Sequence, residues 1–185
     1  MTINSTVRKT NLFVGNGNAS TFPFTFKVFT VAEIVVVKVT TATSTETTLT
    51  LQTDYTVLLN PDQNSNPGGS VTLVSGGVAQ NLATGFNLII TSDVQPTQGT
   101  DLTNQGGFFP EVINDALDKA VILHQQQQEV LDRSIRFALT NTIGSLEITE
   151  DANARANKIL GFDSQGEFQV AQELGVNKGD WVAAT

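Results

Sequence analysis

His124 and a few carboxylates are the side chains of this chain that chemistry could recruit. His124 is the only histidine, so any Ser-His-Asp relay would have to use it. It lies in the run His124-Gln125-Gln126-Gln127-Gln128, inside a helical pattern and away from any strand end or tight elbow. Its expected role is that of a polar residue on a helix seam, where such residues set register and oligomer number. Imidazole titrates near neutrality, so a seam histidine would make association mildly pH-sensitive. Unchanged association between about pH 5 and 8 would count against that reading. Asp115 and Asp118 are three residues apart on the same helix, with Glu111 one turn earlier. Paired carboxylates can serve as acid and base in glycoside hydrolysis, but on an exposed helix face they are usually solvating charge. No catalytic residue is expected.

Two further patterns imitate known sites and fail. Asp62-Gln63-Asn64-Ser65-Asn66 resembles the start of a calcium loop, yet Pro67 stands where glycine is required and Leu73 where a bidentate glutamate is required. Gly15-Asn16-Gly17 is no phosphate cradle, because no lysine follows it and a phenylalanine-rich strand does. With no cysteine, disulfides, zinc-thiolate sites and thiol nucleophiles are excluded. The expectation is no metal and no cofactor. Asn4-Ser5-Thr6 and Asn18-Ala19-Ser20 match glycosylation sequons by letter only.

The elements that would position these groups are mostly strands. The 185 residues are 39% hydrophobic and only 15% charged, a globular and not a disordered composition. Up to Thr100 there are four basic and five acidic residues, so most of the net charge of −8 lies beyond it. An acidic chain without a Lys/Arg cluster is a poor ligand for nucleic acid or anionic membrane, and neither partner is expected. The apolar run Ile34–Val37 is too short to span a bilayer, and the first residues lack the basic and apolar segments of a secretory signal.

From Asn11 to about Thr91 the pattern alternates as strands do. Phe22, Phe24, Phe26 and Val28 share a face, with Pro23 marking an edge strand or a strand start. Residues 34–40 read as a buried central strand. Segments 48–51, 55–59, 71–74 and 86–91 follow, separated by Gly, Pro and Asn turns. The expected head is an antiparallel β-sandwich-like domain over 1–92, followed by a polar linker over 93–109.

Residues 110–137 then read as one helix, ~40 Å long at 1.5 Å per residue. Pro110 suits its first position, and Phe109 before it is a weak cap. Ile113, Leu117, Ala120, His124, Gln127 and Leu131 form one seam; Ala116, Ala120, Leu123, Gln127, Val130, Ser134 and Phe137 form a second. Each steps alternately by four and three, the spacing of a coiled-coil stripe. A helix with two such stripes calls for partners on two sides, its own domain and copies of itself. Beyond it, 138–185 reads as the start of a shaft or neck, with a possible strand over 146–149 and a hairpin of 158–163 and 167–172 around Asp163-Ser164-Gln165-Gly166. Trp181 stands near the end with no strand visible to bury it, as if the polypeptide continued.

The order of these pieces is specific. Gly15-Asn16-Gly17 precedes Thr21-Phe22-Pro23-Phe24-Thr25-Phe26; then come the strand at 33–39, Thr53-Asp54-Tyr55-Thr56-Val57, and Gly69-Ser70-Val71-Thr72-Leu73. Asp101-Leu102-Thr103-Asn104-Gln105-Gly106-Gly107-Phe108-Phe109 then runs into Asn114-Asp115-Ala116-Leu117-Asp118 and the glutamine-rich helix. This succession, over about residues 8–137, resembles the N-terminal virion-attachment domain of phage tail fibres and tailspikes of short-tailed phages. Ile90-Thr91-Ser92-Asp93 departs from it in lacking an arginine that relatives often carry. The resemblance implies a homotrimer whose heads dock on tail adaptor or nozzle proteins, with the helix as a trimeric coiled coil. It implies a structural, non-enzymatic virion protein, made in the host cytoplasm and placed at the fibre base for host attachment. The alternative is the anchor of a tailspike whose polysaccharide-degrading domain lies beyond Thr185.

Overall fold

The computed structural model describes residues 3, 5–101, 109–140, 148, 150–164 and 168–173. The chain divides into two units, Met1–Ile135 and Arg136–Thr185. The first unit is built on strands β1 (Phe13–Val14), β2 (Thr21–Phe24), β3 (Ile34–Thr40), β4 (Thr45–Thr48), β5 (Tyr55–Leu59), β6 (Gly69–Ser75), β7 (Val78–Ala79) and β8 (Phe86–Ser92). They form two antiparallel sheets, ordered β1-β8-β3-β4 and β2-β6-β5, with β7 paired to β6.

β-branched residues stiffen β3 in the pleated conformation. It pairs with β8 along its whole length, from Ile34↔Ser92 to Thr40↔Phe86. Ile34 and Val36 point into the core while Val35 and Val37 are half-buried on the other side, the period-two pattern of a sheet with unequal faces. Pro23 sits in β2, an edge strand, where its missing N–H removes no inner ladder bond. The fourth strand starts earlier than the expected 48–51: it is Thr45–Thr48, because a tight turn with Ser44 at φ 54° returns the chain directly onto β3. Leu51 makes only an isolated bridge to Tyr55.

Both sheets contribute to one apolar core of Phe22, Phe24, Phe26, Val28, Ile34, Val36, Tyr55, Val71, Leu73, Leu82, Leu88 and Ile90. The buried Tyr55 hydroxyl donates to the Ile34 carbonyl at 2.6 Å, a polar tie between the sheets inside that core. Gly68, at φ +107°, lets the loop before β6 press on β2: a Cβ there would stand 2.2 Å from the Phe24 carbonyl oxygen.

Helix α1 runs Pro110–Asp132, shorter than the expected 110–137. Its last turn is closed by short-range bonds, Arg133 N–H to Val130 O and Ser134 N–H to Leu131 O, while the Ser134 hydroxyl donates to Val130 O. With those carbonyls satisfied the chain leaves the helix. No helix among the described residues is long and apolar enough to cross a membrane.

In the second unit, Asp151 caps the short helix α2 (Ala152–Arg155) by accepting from Ala154 N–H at 2.8 Å. Strands β9 (Lys158–Phe162) and β10 (Phe168–Glu173) pair antiparallel, close to the expected hairpin, with a bulge between Ala171 and Glu173. Phe137 and Phe162 meet edge to face at 6.3 Å. The possible strand at 146–149 falls largely, and Trp181 wholly, outside the described residues.

Candidate functional site

The long helix carries two chemically different faces, and the polar one lies on the head. Asp115, Asp118, Ile122, Gln125, Gln126 and Glu129 recur at three- and four-residue steps, so they share one stripe. Ile122 is fully buried on that stripe and is its only apolar member. A surface helix ordinarily turns its apolar stripe inward. Here the order is reversed.

Lys27, which follows the phenylalanine-rich strand, holds the first turns of α1. Its ammonium donates to Asn64 Oδ1 at 2.6 Å, Asp115 Oδ1 at 2.7 Å and Asp118 Oδ2 at 2.8 Å. Three donors thus meet three acceptors, the condition under which a buried charge is tolerated. Asp118 uses its other oxygen to accept Ile3 N–H at 3.2 Å. Burial pulls the Lys27 pKa down, but the hydrogen bonds and charges of Asp115 and Asp118 outweigh it and the net shift is upward. Asp118 is therefore not the solvating charge expected of an exposed face: it is buried and paired, while Asp115 is half-buried.

Further along, Gln126 acts as a clamp on the segment after β8. Its Oε1 accepts Val94 N–H at 2.9 Å and the Ser92 hydroxyl at 3.2 Å, and its Nε2 donates to Val94 O at 3.2 Å. Gln125 Nε2 donates to Ser5 O at 2.9 Å. Glu129 takes both Lys9 and Arg133 at 2.7 Å. Burial alone would raise the Glu129 carboxyl; those two cations bring it below its ordinary value. The run of glutamines is thus divided between faces, with Gln125 and Gln126 turned to the head and Gln127 exposed.

The expected seam lies on the opposite side. Ile113 is half-buried, while Ala120, His124 and Gln127 are exposed, and Leu117 and Leu131 keep 61% and 51% of their surfaces open. Val130 and Val121 extend this apolar band, and Leu123 is half-buried beside it. Ser134 and Phe137, expected to close the second seam, fall beyond the helix end. His124 stands within the band with its Nδ1 2.9 Å from Ala120 O; a carbonyl only accepts, so that nitrogen carries the proton. Among the described residues no relay partner reaches it, since Asp115 and Asp118 are engaged with Lys27. Between the helix and the Asp93–Pro96 segment runs a groove of about 500 Å³ lined by Val94, Pro96, Leu123, Val130 and Leu131 among others.

The loop that imitates a calcium site is closed on itself. Asp62 accepts from Asn64 N–H, Ser65 N–H and the Ser65 hydroxyl, and these bonds hold its carboxyl below the ordinary value. Gln63 bridges Asn60 O and Gly68 from the inside of the turn. Among the described residues no group of three or more His, Asp or Glu could hold a metal.

The amino-acid sequence is similar to that of a known protein. Over 126 residues, 68% of the chain, the sequence is 36% identical to the tail spike protein of Salmonella phage epsilon15. This chain is a partial homologue of a phage tail spike. The similarity supports a protein of the phage tail, and with it a place in the virion tail. The chain spans 11% of that relative's length. No family model matches the chain.

Proposed function

We propose that this chain is the attachment end of a trimeric phage tail fibre or spike, a structural part that joins the receptor-binding apparatus to the tail. The observation that carries this reading is the reversed amphipathicity of α1. The helix turns Asp118, Gln125, Gln126 and Glu129 to its own head and leaves Leu117, Val130 and Leu131 facing outward. An apolar band of that kind on a 23-residue helix calls for a partner, and the three-four spacing of Ile113, Leu117, Ala120, His124, Gln127 and Leu131 suits a second and third copy of the same helix. The strand-built head then remains free to dock on adaptor or nozzle proteins of the tail, at the fibre base, after synthesis in the host cytoplasm. In this reading the region performs no catalysis and takes no cofactor, nucleic acid or membrane. Light scattering and cross-linking of the purified chain test it: a trimer is expected, and a monomer at micromolar concentration overturns it.

A second reading concerns what the attachment end carries. The relative is named a tail spike and is far longer than this chain; in this second reading the chain is the anchor of a spike whose polysaccharide-degrading domain follows Thr185. Sequencing the gene downstream separates the two, since a spike requires a long β-helical continuation and a plain fibre does not.

A further inference from the structure

The two flanks of α1 are strapped to different parts of the head. On one flank the Lys119 ammonium donates to Thr97 O at 2.5 Å, and Gln126 pairs with both backbone groups of Val94. The segment after β8 therefore runs antiparallel to the helix, with Pro96 between those two anchor points. On the other flank Asp118 accepts Ile3 N–H and Gln125 donates to Ser5 O. Successive helical residues are turned by about 100°, which is why the neighbours Gln125 and Gln126 reach opposite straps.

The outward apolar band spreads onto both flanks. Ala116, Leu123 and Val130 lie toward the Val94–Pro96 strap, while Asn114, Val121 and Gln128 lie toward the Ile3–Ser5 strap. None of the six is charged, although the positions bordering a coiled-coil stripe often carry Glu and Lys. The seam they border contains no Asp, Glu, Lys or Arg either. A surface of that kind can be covered by a copy of itself without bringing like charges together. The groove of about 500 Å³ continues the seam: Gln127 and Leu131 open into it, Leu123 and Val130 form one wall, and Val94 and Pro96 the other. Packed helices lie about 8–10 Å apart and are about 10–12 Å across. A helix seated on the seam therefore overhangs it and covers the groove as well.

We propose that this groove is the socket for the next copy of the chain, so that the head segment at Val94 and Pro96 forms part of the contact between subunits. Copies related by a three-fold axis are parallel, and one flank of each helix meets the opposite flank of the next, a head-to-tail contact that closes as a ring. The neighbouring copy's Val121, 42% exposed in the single subunit, then packs on Pro96 and Leu123, and its Gln128 faces Val130 two turns further on. This contact presupposes the trimeric reading above and adds the head to it: Lys119 and Gln126, by holding the strap, set one wall of the socket.

The chain has no cysteine, so introduced thiols report chosen pairs in the full 185-residue polypeptide. Pro96, Leu117 and Val121 are exposed, and cysteine at each leaves the core untouched. Pro96→Cys and Val121→Cys chains, co-expressed with different affinity tags, are treated with a short bis-maleimide. A heterodimer linked through positions 96 and 121 is expected, and it should be lost when either variant is expressed alone. Leu117→Cys by itself reports the seam, because a three-fold axis brings this position against its own copies. Linkage at 117 without linkage between 96 and 121 overturns the socket, leaves the groove to another partner, and keeps the trimeric seam. A monomer that links at neither place overturns both.

Discussion

Lys27 shows how one side chain can decide whether the helix stays on the head. Replacing it by methionine leaves Asp118 buried without its cation, and breaking a buried pair from one side costs about 3–5 kcal/mol. Urea denaturation of Lys27→Met should show that loss, and a second change, Asp118→Leu, should restore most of it because the orphaned charge is then gone. A Lys27→Met chain as stable as the parent would mean that the cluster is solvated. The pH dependence has a defined sign. The folded Lys27 titrates above its ordinary 10.5, so its contribution is complete below that value and is lost only as pH rises through the raised one. The stability gap between the parent and Lys27→Met should therefore be constant around neutrality and close in strongly alkaline solution.

At the scale of the element, α1 is held by directional bonds with little apolar burial beneath them. Gln126 imitates a peptide group, pairing with both the N–H and the carbonyl of Val94. Gln126→Leu should strand two backbone groups, each costing about 1–3 kcal/mol if left unsatisfied. Hydrogen exchange at Val94 and along the second half of α1 should then accelerate, with the strands unaffected. Unchanged exchange in the helix would show that Ile122 and the ion pairs suffice. A joint of this kind specifies orientation well, since hydrogen bonds fail quickly when misaligned. It contributes less free energy than an apolar interface of similar extent would.

For the whole molecule, the proposed function turns on whether three copies associate. Leu117→Asp with Leu131→Asp places charge on side chains that are exposed in the single subunit. The head and the helix–head contacts should survive, as judged by circular dichroism, while light scattering should report a fall from trimer to monomer. A charged variant that stays trimeric would place the contact elsewhere. His124 belongs to the same surface, and its replacement by leucine should strengthen association.

Much of this architecture was legible from local pattern. Alternation marked 55–59 and 86–91 as strands, Pro23 marked an edge strand or a strand start, and the three-four spacing located the helix and its apolar stripes. Those signals survive because they depend on residues near one another along the chain. The end of α1 at Asp132 was missed because capping by Ser134 competes with a periodic pattern that continues past it. Lys27 and Asp118 could not be paired by any spacing: they are 91 residues apart, and a charged side chain reads as surface until folding surrounds it. The residues themselves determined that there would be strands, one long helix and an apolar stripe. Only the tertiary structure decided which face of that helix turns inward, because that choice depends on the buried cation and the backbone groups waiting on the head.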